Sequence, residues 1–227
     1  MSTAVPRSGI RSFYARVGKR IIDLLGSAVA IAVLSPIFLV AAALIKVSSR
    51  GPVFFYQDRP GLRGHTFRIV KFRSMRTFED SYDAEGNELT NDQRVTPVGA
   101  VLRRTSIDEL PQLFNVLVGQ MSLVGPRPAL LYQVERYTPE QRQRMAVRPG
   151  MTGLAQVSGR NSLTWEQKIS QDLKYVRNVS LELDVRIVVR TLGVVVSGSG
   201  LRFEKHDDLS EHGGQLRRHI GEIKDGA

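Results

Sequence analysis

At 227 residues, the chain is long enough for one core-bearing domain plus a membrane element and short for two ordinary domains. It has no cysteine, which excludes disulfides and thiolate metal sites. The net charge of +10 would suit nucleic acid or an anionic membrane, but residues 1–73 carry 12 Lys/Arg against only Asp23 and Asp58, while 74–227 balance at 20 and 20. That placement favours anionic lipid beside an apolar segment and argues against nucleic acid, which calls for a basic face with a reading element.

Residues 1–20 form a basic N-terminal segment, and residues 21–46 form the membrane element. Leu24 to Ile45 has no charged residue in 22 positions, long enough at ~1.5 Å per residue to cross a hydrocarbon core of roughly 30 Å. Arg7, Arg11, Arg16, Lys19 and Arg20 precede it, and Lys46, Arg50, Arg59 and Arg63 follow, so the positive-inside signal draws both ends to the cytoplasm. Pro36 stands near its middle. Without an N–H, and clashing with the Ala32 carbonyl, it is expected to break or kink the helix there, with Ser35 able to hydrogen-bond a freed backbone group. A re-entrant helix-break-helix is favoured over a spanning helix.

Residues 47–203 read as the catalytic domain. Gly51 to Pro60 and Thr66 to Met75 are β-prone runs about a Gly61–Gly64 turn, which predicts a short hairpin. Residues 76–94 form a polar loop. Val98 to Arg104 predicts a short helix, and Leu110, Leu113, Phe114 and Leu117 predict the next one, with that face inward. Pro139 to Ala146 and residues 164–177, around Trp165, Ile169, Leu173 and Val176, follow as helices. Val185, Val188, Val189, Leu192, Val195 and Val196 make one stripe that suits either core packing or a membrane interface. Residues 204–227 read as a polar, flexible tail. The expected fold class is α+β, mainly helical, with a short hairpin and amphipathic interfacial helices.

The densest chemistry lies between Thr105 and Pro128. Ser106-x-x-Glu109 fits a capping box, with Asp108 complementing a helix dipole. The competing reading is catalytic, because Arg103, Arg104 and Arg127 gather beside the carboxylates. Arginine's fork suits phosphate oxygens, and Pro126 and Pro128 restrict Arg127. Lys71, Arg73, Arg148 and Arg160 are further cationic candidates. Carboxylates beside such cations serve either to hold Mg²⁺ or to attack phosphorus. The chain has no P-loop, dinucleotide fingerprint, H-E-x-x-H or D-x-D motif.

Lys19-Arg-Ile-Ile-Asp23, Ser35-Pro36, Gly51-Pro-Val-Phe-Phe-Tyr-Gln57, Lys71-Phe-Arg-Ser-Met75, Ser106-Ile-Asp-Glu-Leu-Pro-Gln-Leu113, Met121 to Pro128, Arg148 to Gln156 and Gly159-Arg-Asn161 occur in that order. In this the chain resembles the bacterial sugar transferases, specifically small monotopic polyprenyl-phosphate phosphoglycosyltransferases, over residues 17–200. The resemblance implies that a nucleotide diphosphate sugar, usually a UDP-sugar, donates its phosphosugar to polyprenyl phosphate of the undecaprenyl kind, with Mg²⁺ as cofactor. It further implies a bacterial inner-membrane location, the catalytic domain cytoplasmic, in exopolysaccharide or glycoconjugate synthesis. Asp108 matches the nucleophile and Glu109 the metal-associated carboxylate, with Asp108 a second metal candidate. Lys71, Arg103, Arg127 and Arg160 match phosphate- or nucleotide-binding positions. Anionic lipids are expected partners, nucleic acid is not, and a homodimer is compatible. A membrane-anchored sensor of nucleotide sugars would not need both Asp108 and Glu109.

Overall fold

The computed structural model describes residues 13–83, 85–159 and 162–197. The expected flexible tail, 204–227, lies outside the described residues.

A π-helical turn, Tyr14–Gly18, runs into α1, Lys19–Ser48. The expected break at Pro36 is absent: the helix continues through it. Proline's fixed φ is compatible with a helix, and what it removes is one N–H donor, the one that would meet the Ala32 carbonyl. The Ser35 hydroxyl donates to that carbonyl at 2.8 Å, the substitute donor expected from the sequence.

α1 is docked at both ends and bare between them. Near its start, Arg20 donates to the main-chain oxygens of Val116 and Leu117 at 2.7 and 2.8 Å. Asp23, itself buried, accepts from the Ser122 hydroxyl at 3.0 Å and from the Leu123 N–H at 2.9 Å. Toward its end, Ala41 and Ile45 pack on Phe72 and Leu102, and Phe38 sets its ring against Phe72 and Phe114 at 5.5 and 5.7 Å. No residue from 28 to 40 is buried. A core helix of a soluble protein would be mostly covered, whereas only 11% of the apolar window here is buried.

The hairpin forms as expected. β1, Phe54–Pro60, pairs antiparallel with β2, Thr66–Phe72, in a register running from Phe54↔Phe72 to Pro60↔Thr66. β2 stops at Phe72, short of the expected Met75, which instead makes an isolated bridge to Val95. Within 76–94 the helical turn Asn91–Arg94 is capped reciprocally by Thr90 and Gln93. α2 is Pro97–Arg104 and α3 is Gln112–Leu117.

The buried side of α3 is not the one expected. Leu113 is buried, but so are Gln112, Asn115 and Val116, while Phe114 is turned out toward Phe38 of α1. The reason is Asn115. Its Oδ1 accepts from the Val70 N–H at 3.0 Å, and its Nδ2 donates to the Arg68 carbonyl at 2.8 Å. The amide stands in for a neighbouring strand along β2 and fixes the rotation of the helix.

Two three-residue strands have no legible pattern in the sequence: β3, Ser122–Val124, lies parallel to β4, Gly150–Thr152. Their approach needs glycine, since a Cβ on Gly150 would come within 2.0 Å of the Gly125 nitrogen. Residues 139–146 form the helical turn Pro139–Arg142 followed by the 3₁₀ turn Gln143–Ala146. α4, Trp165–Arg177, buries Ile169, Leu173 and Val176 as expected, together with Asp172 and Tyr175. α5, Leu181–Ser197, buries Asp184 and Ile187. Its stripe of Val185, Val188, Val189 and Leu192 is exposed, which decides against core packing for those four. Asp184 anchors the helix instead, accepting from Tyr14, from Lys19 at 2.6 Å and from Tyr175 at 2.7 Å.

Replacing Asn115 by alanine orphans the Val70 N–H and the Arg68 carbonyl, at a cost of about 2–4 kcal/mol for two unpaired backbone groups. Thermal unfolding of the purified protein should place Asn115→Asp, which keeps the acceptor and loses the donor, between wild type and Asn115→Ala.

Candidate active site

The carboxylates sit in a 3₁₀ turn, Ile107–Glu109, that joins α2 to α3. Ser106 enters it with φ 57° and ψ 16°, a left-handed conformation that costs a non-glycine residue roughly 1–2 kcal/mol. Ser106 makes no capping bond to this turn, so the expected capping box does not form. Glu109 turns instead toward two cations. Lys71 Nζ lies 2.7 Å from Oε1, and Arg127 grips the same carboxylate at 2.6 and 3.1 Å. Lys71 comes from β2 and Arg127 from the loop after β3, so one carboxylate ties together three segments distant in sequence.

Asp108 is the opposite case. It is 9% exposed, and among the described residues it takes part in no hydrogen bond or ion pair. Ile107, immediately before it, packs in the cluster of Ala41, Ile45 and Phe72, so Asp108 stands where the exposed helix α1 meets the domain. Arg103, in the last turn of α2, contributes positive charge to Asp108 along with Lys71 and Arg127.

The Arg127 loop is held by its main chain. The Gly150 N–H donates to the Pro126 carbonyl at 2.9 Å, and Arg59 donates to the Pro128 carbonyl at 3.2 Å. Pro126 is buried and Pro128 is half-buried. Lys71, Arg103, Arg127, Pro126 and Pro128 are thus brought to the carboxylates. Arg73 is not: its guanidinium donates to the Ser49 carbonyl and hydroxyl at 3.0 and 2.9 Å and to the Arg50 carbonyl, closing off the end of α1. Arg148 donates to the Gly119 carbonyl at 2.8 Å. Arg160 lies outside the described residues. Asp23 was legible as a lone acid at the head of an apolar run, yet its anchoring role needed the fold.

The bacterial sugar transferase family profile matches residues 14–198. The chain belongs to that family. It is 43% identical over 188 residues to the uncharacterized sugar transferase EpsL of Bacillus subtilis (strain 168), covering 83% of this chain and 92% of the relative. It is 47% identical over 194 residues to the exopolysaccharide production protein PSS of Rhizobium leguminosarum bv. phaseoli, covering 79% and 94%. It is 45% identical over 182 residues to the UDP-glucose:undecaprenyl-phosphate glucose-1-phosphate transferase of Caulobacter vibrioides, covering 77% and 68%. This bacterial sugar transferase is accordingly an enzyme of the sugar-phosphate transferase class.

The two carboxylates of this sugar transferase differ electrostatically. Burial pushes the Asp108 carboxyl up, and the Glu109 charge pushes it further, to about 6, against the pull of Lys71, Arg127 and Arg103. Burial also acts on Glu109, but Arg127 and Lys71 outweigh it and hold that carboxyl well below its usual range. Glu109 is therefore a fixed anion, and Asp108 is a buried carboxylate that is costly to ionise in the folded protein.

That cost has a sign. Asp108's folded value near 6 exceeds its ordinary value of about 3.9, so its contribution to stability is fully present below pH 4 and is lost as pH rises through 6. Asparagine mimics the protonated form. Asp108→Asn should match wild type at low pH and exceed it at pH 7.5 by on the order of 2 kcal/mol, read as a higher Tm. A wild-type protein more stable than the variant at pH 7.5 would contradict this account.

Proposed function

We propose that this enzyme transfers a phosphosugar from a UDP-sugar to undecaprenyl or a similar polyprenyl phosphate, through a covalent intermediate on Asp108. The observation that carries the proposal is the division of labour in one turn: Glu109 is gripped by Lys71 and Arg127 while the adjacent Asp108 is buried and, among the described residues, unpaired. In the first step an Asp108 carboxylate oxygen attacks the donor's β-phosphorus. The bond from that phosphorus to the oxygen bridging the α-phosphate breaks, and UMP departs with the bridging oxygen. In the second step a phosphate oxygen of the lipid attacks the same phosphorus. The bond to Asp108 breaks, regenerating the carboxylate and giving polyprenyl diphosphate sugar. Lys71, Arg103 and Arg127 stabilise charge on the non-bridging oxygens in both steps.

Asp108 and Glu109 also suit Mg²⁺. They lie side by side and feel one another's charge, and among the described residues no group of three carboxylates, histidines or cysteines occurs that could hold a metal unaided. A magnesium ion takes one or two protein carboxylates plus substrate phosphates, which is what this pair offers. Bound by Asp108 and Glu109, the ion would supply positive charge to neutralise the donor diphosphate, beside the charge of Lys71 and Arg127.

The acceptor is a membrane lipid, and the exposed middle of α1 supplies the anchor. Both ends of α1 dock on the same body, through Arg20 and Asp23 at one end and Ala41 and Ile45 at the other. A span would put those ends on opposite sides of roughly 30 Å of hydrocarbon. The reading these contacts support is a monotopic protein whose α1 enters and leaves the bacterial plasma membrane from the cytoplasmic side. The exposed stripe of α5 adds an interfacial face. A role in exopolysaccharide synthesis is the corresponding pathway reading.

Mixing enzyme, Mg²⁺ and UDP-sugar without lipid should give a phosphosugar adduct on Asp108 by intact-protein mass spectrometry. The adduct should discharge on adding polyprenyl phosphate and be absent in Asp108→Asn or in EDTA. Rapid-quench kinetics that require both substrates bound, with no adduct, would overturn the two-step mechanism.

Because the chain has no cysteine, single cysteines at Ser12 and Glu79 report topology cleanly. Neither should react with an impermeant thiol reagent in intact cells, and both should react after permeabilisation. Labelling of one alone in intact cells would make α1 a spanning helix.

A further inference from the structure

Behind the Arg127 loop lies a buried charge that the reaction does not use. Arg144, in the Gln143–Ala146 turn, is 7% exposed and donates to Tyr137 Oη, to Asp172 Oδ2 and, at 2.9 Å, to the main-chain carbonyl of Arg127. Asp172, from α4, is 1% exposed. Arg144 and Tyr137 line the same cleft as Pro126, Arg127 and Pro128.

We propose that Arg144 is the positioning residue for Arg127, a conclusion that rests on Arg127 contacting the donor's phosphates. The peptide planes on both sides of Arg127 are pinned: the Pro126 carbonyl by the Gly150 N–H, and the Arg127 carbonyl by Arg144. Both backbone dihedrals of Arg127 are thereby set, so its side chain leaves the loop in one direction, toward Glu109 at 2.6 Å. A buried ion pair such as Arg144–Asp172 gives little net stability over a well-packed apolar pair, because both ions lose hydration. What an apolar pair could not supply is a directional donor for a carbonyl. Arginine's rigid fork meets an acid, a phenol and a carbonyl at once, which a lysine ammonium on a flexible stem does not. Asp172 and Tyr137 hold that fork in place.

A double-mutant cycle tests this on the full-length protein in lipid nanodiscs, with the rate of phosphosugar adduct formation from a UDP-sugar as readout. Arg144→Lys should slow wild type on the order of a hundredfold, the penalty for a misplaced group near 1 Å. In the Arg127→Ala background the same change should cost less than about threefold, since the residue being positioned is gone. Tm should fall equally in both backgrounds. Equal rate losses in both backgrounds would overturn the proposal and leave Arg144 a structural residue. If Arg144→Lys does not fold, Tyr137→Phe enters the cycle in its place, removing one contact of the fork while keeping a ring beside Trp165. A wild-type protein that forms no adduct would instead overturn the covalent intermediate, and the cycle is then read on the dissociation constant of UDP, with the same expected and opposing outcomes.

Discussion

The ion triad of Glu109 with Lys71 and Arg127 is the interaction around which the domain is arranged. It joins β2, the turn before α3, and the loop after β3, each of which has its own tie to the apolar helix α1. Phe72, next to Lys71, packs on Ala41 and Ile45, and Ile107, two residues before Glu109, sits in the same cluster. β3, which leads into the Arg127 loop, is held by Asp23. The carboxylate pair is thus positioned by the elements that hold the apolar helix.

This arrangement gives a physical reason for two acids in sequence. A single buried carboxylate among three cations would be drawn into an ion pair and lose reactivity. Here Glu109 pairs with Lys71 and Arg127 and adds its own negative charge beside Asp108, so Asp108 stays buried, without an ion pair among the described residues, and raised toward 6. The left-handed Ser106 contributes to the same end, because its backbone geometry takes the turn out of an ordinary capped helix start.

Buried polar groups recur wherever distant segments meet. Asp184 collects Tyr14, Lys19 and Tyr175, binding the entry to α1 to α4 and α5. Asn115 satisfies the edge of β2. Arg144, held by Asp172 of α4, braces the Arg127 loop. With 13 consecutive residues of α1, 28–40, left unburied by the domain, these directional contacts, rather than one large apolar core, fix how the helix is carried.

Local chemistry determined much of the protein from the sequence alone. The apolar run with Ser35 and Pro36, the hairpin about Gly61–Gly64, helices over 98–104 and 164–177, and the nomination of Asp108, Glu109, Lys71 and Arg127 as one cluster of candidates follow from periodicity, turn residues and motif order. Tertiary structure decided the rest. Pro36 does not end α1, because one hydroxyl replaces the lost donor. Ser106 is strained rather than capping, because Glu109 is pulled away by cations 38 and 18 residues distant. Arg73 is diverted to the end of α1, and the α3 face is rotated by an amide bonded to a strand 45 residues earlier. The exposure of the α5 stripe goes with the burial of Asp184 and Ile187, the residues of this helix that are turned inward. In each case the deciding partner is remote in the chain, and no local pattern encodes which remote group will arrive.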